Sequence, residues 1–194
     1  NNRVRYSMDS IKELKDKLKN TRPAEWDKFP DIELYKDQVL SYMQRQLLPS
    51  EDAELLTGAM INNYIKAGAL PRPNGKKYGK EHLAYLTAIC ALKPVMSVND
   101  LELLLKKLSS KSGAKEFYDL LYGKIDNALS EAADSIDDDL REDELPEYIL
   151  AIALKAAALR IVCEKLLLTI REKDMETEKL EKEKKAQNGA KKDK

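Results

Sequence analysis

The strongest local signal in this chain is the segment ALPRPNGKK, residues 69–77. Pro71 and Pro73 have no N–H to give to a ladder, so strands here are restricted to short or edge pieces. Asn74 and Gly75 form the dipeptide favoured at the centre of a two-residue hairpin turn, where both central positions take positive φ. The sequence on either side reads as helix. Thr57 suits the N-cap of a helix in which Met60, Ile61, Tyr64 and Ile65 share an inward face, and Gly68 is placed to end it in a left-handed conformation. From Lys80 to Leu92 the chain is apolar nearly all round, the mark of a buried helix, until Pro94 stops it. The expectation is a small, exposed, basic wing between two helices, with Asn62, Asn63 and Lys66 left facing solvent or a ligand.

The rest of the chain predicts a mainly α protein, because Ala, Leu, Glu and Lys dominate its 194 residues and only seven Gly and seven Pro interrupt them. Met8, Ile11, Leu14 and Leu18 make one helix face, with Ser7 or Asp9 as N-cap. Trp26 and Phe29 are expected to pin the following connection to the core. Asp31 is expected to cap a helix with Ile32, Tyr35, Val39, Tyr42, Met43 and Leu47 on one face, and residues 51–56 to make a short helical turn before Thr57. Ser97 with Asp100 resembles a capping box ahead of Leu101, Leu104, Leu105 and Leu108. Ser112 is expected to start a helix with Phe117, Leu121, Ile125, Ala128 and Ala132 on one face. Pro146 fits the first turn of a long last helix. Along it Ile149, Ile152, Ala156, Leu159, Cys163, Leu166 and Ile170 alternate three and four apart, a coiled-coil spacing widened by Ala153, Val162 and Leu167. That stripe is the expected dimerisation contact. The resulting division is an amphipathic helix over 1–23, a winged domain over 24–95, a helical region over 96–133, an acidic linker over 134–146, the long helix over 147–184 and a disordered tail over 185–194.

The 34 basic and 34 acidic side chains cancel in total but not locally. Residues 62–80 hold Lys66, Arg72, Lys76, Lys77 and Lys80 with no carboxylate, which points to an anionic partner. Residues 131–147 are acidic apart from Arg141, and they lack the spacing of a calcium loop. No run of eighteen apolar residues occurs, and the start, NNRVRYSMDS, lacks the features of a signal peptide, so no membrane partner and a cytoplasmic location are expected. Cys90 and Cys163 sit in apolar helical patterns and read as reduced core residues. His82, the only histidine, is expected in a surface role beside Glu81. With no Gly-rich phosphate loop, metal-ligand cluster or nucleophile beside a base, neither enzyme activity nor a cofactor is expected.

The run MINNYIKAGALPRP…KKYGKEHLAYLTAICALK resembles the DNA-binding part of MerR-type regulators. In those proteins a Tyr closes the recognition helix, Gly-x-Leu-Pro follows, and the wing ends in an aromatic just before the next helix. Tyr64, Gly68, Leu70, Pro71 and Tyr78 fall on that pattern, whereas Asn62, Asn63 and Ile65 stand where the family usually carries an Arg, an aromatic and an acidic residue. Residues 24–105 are also similar, in four ordered blocks, to the bacterial "domain of unknown function 1836" group. The blocks are FPDIELYKDQVLSYMQRQL, LTGAMINNYIKAG, KKYGKEHLAYL and LKPVMSVNDL. The resemblance implies a MerR-like winged helix-turn-helix that binds double-stranded DNA in transcriptional regulation. Asn62 and Asn63 would then face base edges, where asparagine can pair with adenine, while Lys66, Arg72, Lys76, Lys77 and Tyr78 would contact the backbone. A homodimer is expected, since paired units gain affinity and palindromic specificity. A small-molecule effector is left open by the sequence, because residues 97–170 could enclose a pocket but no pattern in them names a ligand. The alternative is a protein-interaction module that uses the apolar face of residues 149–170.

Overall fold

The computed structural model describes residues 2–46, 56–110 and 113–190, and it divides into two compact units, Asn1–Leu145 and Pro146–Lys194. The first unit is built, in chain order, from α1 (Asn2–Asn20), a 3-10 turn (Trp26–Lys28), β1 (Leu34–Tyr35), α2 (Lys36–Met43), α3 (Gly58–Ala67), β2 (Lys77–Tyr78), α4 (Lys80–Leu92), α5 (Val98–Ser109) and α6 (Ala114–Asp134). A last helix, α7 (Leu145–Ala190), makes up the second. The fold is therefore mainly helical with one small antiparallel sheet.

Helix α4 is the hub of the first unit. Every residue from His82 to Ile89 is buried, and α2, β2, α5 and α6 pack around it. Ala84 and Ala88, both fully buried, let those neighbours approach closely, and the buried Thr87 Oγ1 donates to the Leu83 carbonyl at 2.9 Å. Trp26 and Phe29 do pin the connection after α1. Phe29 is 2% exposed and lies 4.7 Å from the Tyr118 ring, with Trp26 and Tyr42 at its other edges. Tyr118 donates its hydroxyl to the Ala24 carbonyl at 2.5 Å, and burial holds its phenol well above the usual range.

Several helix boundaries and faces differ from the sequence expectation. α1 runs from Asn2, so Ser7 and Asp9 lie inside it rather than capping it; the Met8 side chain falls outside the described residues. Asp31 does not cap α2, which starts at Lys36, and the Gln38 side chain instead accepts from the Tyr35 N–H at 2.8 Å. Asp31 pairs with Lys80 at 2.6 Å. Ile32 and Tyr35 are 70% and 51% exposed because both precede the helix, Ile32 in a bend and Tyr35 in the strand paired to β2. Leu47, residues 51–55 and Ser112 lie outside the described residues, and α6 begins after Gly113. In α6, Ala128 and Ala132 are exposed while Tyr118 and Ala133 are buried, since the helix packs on α1 with one face and on α4 and α5 with another.

The acidic stretch is partnered in part by α1, and α6 ahead of it by the residues just after α1. Lys19 meets Asp134 at 2.8 Å, Lys15 meets Asp138 at 2.5 Å, and Arg22 meets Asp126 at 2.6 Å. Hydrogen bonds from Lys19 and Lys15 lower the pKa values of Asp134 and Asp138 below the ordinary 3.8. A depressed carboxylate contributes stability above its unfolded pKa and loses it as pH falls through the folded value. Protection of the α1 amides from hydrogen exchange should accordingly drop below about pH 4. The double change Asp134→Asn and Asp138→Asn should remove most of that acid response; an unchanged response would show that these pairs do not hold α1. These carboxylates are solvent-exposed, so the effect at neutral pH is small.

α7 continues to Ala190, beyond the expected end at residue 184, and residues 191–194 lie outside the described ones. Its expected stripe is largely in water: Ile149, Ile152, Leu159 and Leu166 are 60%, 47%, 56% and 62% exposed, Ala156 and Cys163 are exposed, and Ile170 is half-buried. Leu150, Leu154, Ile161 and Leu168 are exposed as well. At 3.6 residues per turn they form a second stripe roughly 165° from the first, so the helix is apolar on two faces rather than along one widened seam. Exposure of Cys163 also corrects its reading as a core thiol, whereas burial pushes the Cys90 thiol up to about 11.

Candidate nucleic-acid interface

Helix α3 forms as its sequence dictates. Thr57 Oγ1 accepts from the Met60 N–H at 3.2 Å, Ile61 and Tyr64 are buried, and Gly68 closes the helix at φ +83°. The left-handed turn lets the Leu70 N–H bond the Tyr64 carbonyl at 3.2 Å, which tucks Ala69 and Leu70 into the core. Asn62, Asn63 and Lys66 are left on the exposed side.

The wing differs from the hairpin that the sequence suggests. Asn74 and Lys77 exchange both backbone hydrogen bonds, at 3.1 and 3.0 Å, so the central pair of the turn is Gly75 and Lys76 rather than Asn74 and Gly75. Only Gly75 has positive φ, at +60°, as a type II′ turn requires. After this turn β2 pairs with β1 in the register Leu34↔Tyr78 and Tyr35↔Lys77, which borrows a strand from well before α3. Pro71 and Pro73 account for the difference, because their missing N–H groups leave the outgoing arm unable to form a ladder.

His82 is buried rather than on the surface. Its Nδ1 accepts from the Gly79 N–H at 3.1 Å, so the proton sits on Nε2, which donates to the Arg72 carbonyl at 3.3 Å. Its ring meets Tyr78 edge-on at 5.4 Å. The imidazole thus ties the outgoing arm of the wing to the start of α4.

A shallow cleft lies where α2, α3 and the wing meet, with Lys36, Asn62, Ile65 and Lys76 among its walls. Lys36 Nζ donates to Asn62 Oδ1 at 2.8 Å, and Lys77 Nζ lies 5.7 Å from the centroid of the Tyr35 ring. Asn62 and Lys76 are thereby brought to one place together with Lys36 and Tyr35, and Lys77 stands over the Tyr35 ring without lining the cleft, whereas Asn63, Lys66 and Arg72 are exposed and do not line it. Among the described residues, Lys66, Arg72 and Lys76 have no carboxylate partner; Asp37 lines the cleft and is its one acidic wall residue. Tyr78 lines the cleft floor but is 2% exposed, and burial raises its phenol pKa. It is a core residue, which removes it from the set of backbone contacts. Lys36 and Tyr35 were missed by sequence reasoning, and only the pairing of β1 with β2, which has no signal in local periodicity, brings them here.

Among the described residues no cluster of His, Cys, Asp or Glu could hold a metal, and no helix is long and apolar enough to cross a membrane. Comparison with curated proteins and with solved structures finds no match. A family model does match, over residues 24–125, the stretch from just before the aromatic anchor to the middle of α6. Covering more than half of the chain, that match makes this protein a member of the family described as Domain of unknown function (DUF1836).

Proposed function

We propose that the chain is a sequence-specific DNA-binding regulator of MerR-like, winged helix-turn-helix type, with α3 as its recognition helix. The observation that carries this reading is the convergence of exposed Asn62 with Lys36 and Lys76 in one cleft, with Lys77 beside it at the Tyr35 ring, and the lack, among the described residues, of a carboxylate partner for Lys66, Arg72 and Lys76. A protein gains nothing in stability by gathering unpaired cations, but a phosphate backbone supplies the missing charge. In this reading Asn62 and Asn63 face base edges, and Lys66, Arg72, Lys76 and Lys77 hold phosphates. The protein acts as a homodimer through the Ile152, Leu159 and Leu166 face of α7. The competing reading, a module that docks another protein on α7, draws on the same exposed apolar residues.

The test is selection from random-sequence DNA with the purified protein, beside Asn62→Ala and a variant in which Arg72, Lys76 and Lys77 are alanine. The wild type should enrich a motif, palindromic if a dimer binds, and the charge variant should not. Asn62→Ala should blur one base pair, a loss of about 1–3 kcal/mol in discrimination there. Equal, featureless selection by the wild type and the charge variant would rule the regulator reading out and move the weight to α7 as a docking surface.

A further inference from the structure

The side chain that decides how Asn62 can read a base comes from another helix. Lys36, the first residue of α2, sends its stem across the start of α3: a Cβ on Gly58 would lie 3.5 Å from Lys36 Cδ. Gly58 and Asn62 are four apart and so stack on the same face of α3. The stem therefore runs along that face, and its ammonium ends 2.8 Å from Asn62 Oδ1. A lysine ammonium has donors only, so the amide must turn its oxygen to Lys36 and its Nδ2 away. One of the two lone pairs of Oδ1 is occupied, and the ammonium keeps two further N–H donors beside the amide.

We propose that Lys36 is a specificity-determining residue, which turns Asn62 from an adenine reader into half of a two-donor reader of guanine. Adenine offers N7 as an acceptor and N6 as a donor, so an asparagine that reads it must bring its Oδ1 to N6, and here the ammonium seated on Oδ1 sets a positive charge and further N–H donors against that approach. Guanine offers two adjacent acceptors, N7 and O6, which suit Asn62 Nδ2 and Lys36 Nζ side by side. The inference rests on the DNA-binding reading above and adds the identity of the base.

The experiment repeats the DNA selection with Lys36→Met and Lys36→Arg. Methionine keeps an apolar stem over Gly58 but donates nothing, while arginine keeps the donors. The position to read is the one that Asn62→Ala blurs. Wild type and Lys36→Arg should select guanine there. Lys36→Met should move the preference to adenine, with guanine falling by at least about fivefold relative to adenine. Adenine in the wild type, or the same base in wild type and Lys36→Met, would overturn the role of Lys36 while leaving DNA binding intact. Failure of the wild type to enrich any motif would instead remove the DNA-binding reading, and this inference with it.

Discussion

Phe29→Ala is expected to destabilise the first unit by about 3–5 kcal/mol. The Phe29 ring is almost wholly buried, and it is wedged between Trp26 of the 3-10 turn, Tyr42 of α2 and Tyr118 of α6. Truncation leaves a cavity that these rings cannot fill by collapse, because they stand on three separate elements and Tyr118 is tethered through its hydroxyl to Ala24. Domains are stable by only about 5–15 kcal/mol, so the variant should sit near the limit of folding. Urea unfolding followed by circular dichroism would measure it; a cost below about 1 kcal/mol would mean that the ring is not part of a packed core.

The second large effect is expected on the DNA affinity proposed above. If a dimer sets Lys66, Arg72, Lys76 and Lys77 of both chains against phosphates, it makes a number of contacts within the range for which affinity falls by about 10³–10⁵ between about 50 and about 200 mM salt. Each contact contributes about 0.9 to the slope of log K against log salt, so Lys76→Ala with Lys77→Ala should flatten it by roughly 3.6 for the dimer. The base preference should survive, since phosphate contacts carry no sequence information. Fluorescence anisotropy across a salt series measures both quantities. A slope shared by the wild type and the double variant would detach the wing from the DNA, even if α3 still bound.

Much of the candidate site was legible residue by residue. The N-cap at Thr57, the left-handed stop at Gly68, the exposure of Asn62, Asn63 and Lys66 and the limits of α4 all follow from side-chain chemistry within a few positions. The same holds for the capping box of Ser97 and Asp100, whose hydroxyl accepts from the Asp100 N–H at 3.2 Å. The turn was read correctly in kind but not in register: Gly75 supplies positive φ, yet whether it stands first or second in the turn depends on which backbone groups find partners, and Pro73, with no N–H to exchange, leaves that pairing to Asn74 and Lys77.

The sequence by itself determined the helical class, the position of the basic turn between α3 and α4, the buried run of α4 and the membership of a family that covers residues 24–125. Periodicity, caps and φ preferences act over a turn of helix or less, and these features need nothing longer. Tertiary structure alone decided that Tyr78 and His82 are buried, that Asp31 pairs with Lys80 rather than capping a helix, that Lys15 and Lys19 neutralise part of the acidic stretch, and that Lys36 reaches Asn62. Each of these joins residues more than twenty positions apart or depends on what packs over a side chain. Such contacts are chosen by how whole elements stack, and local sequence carries no record of that choice.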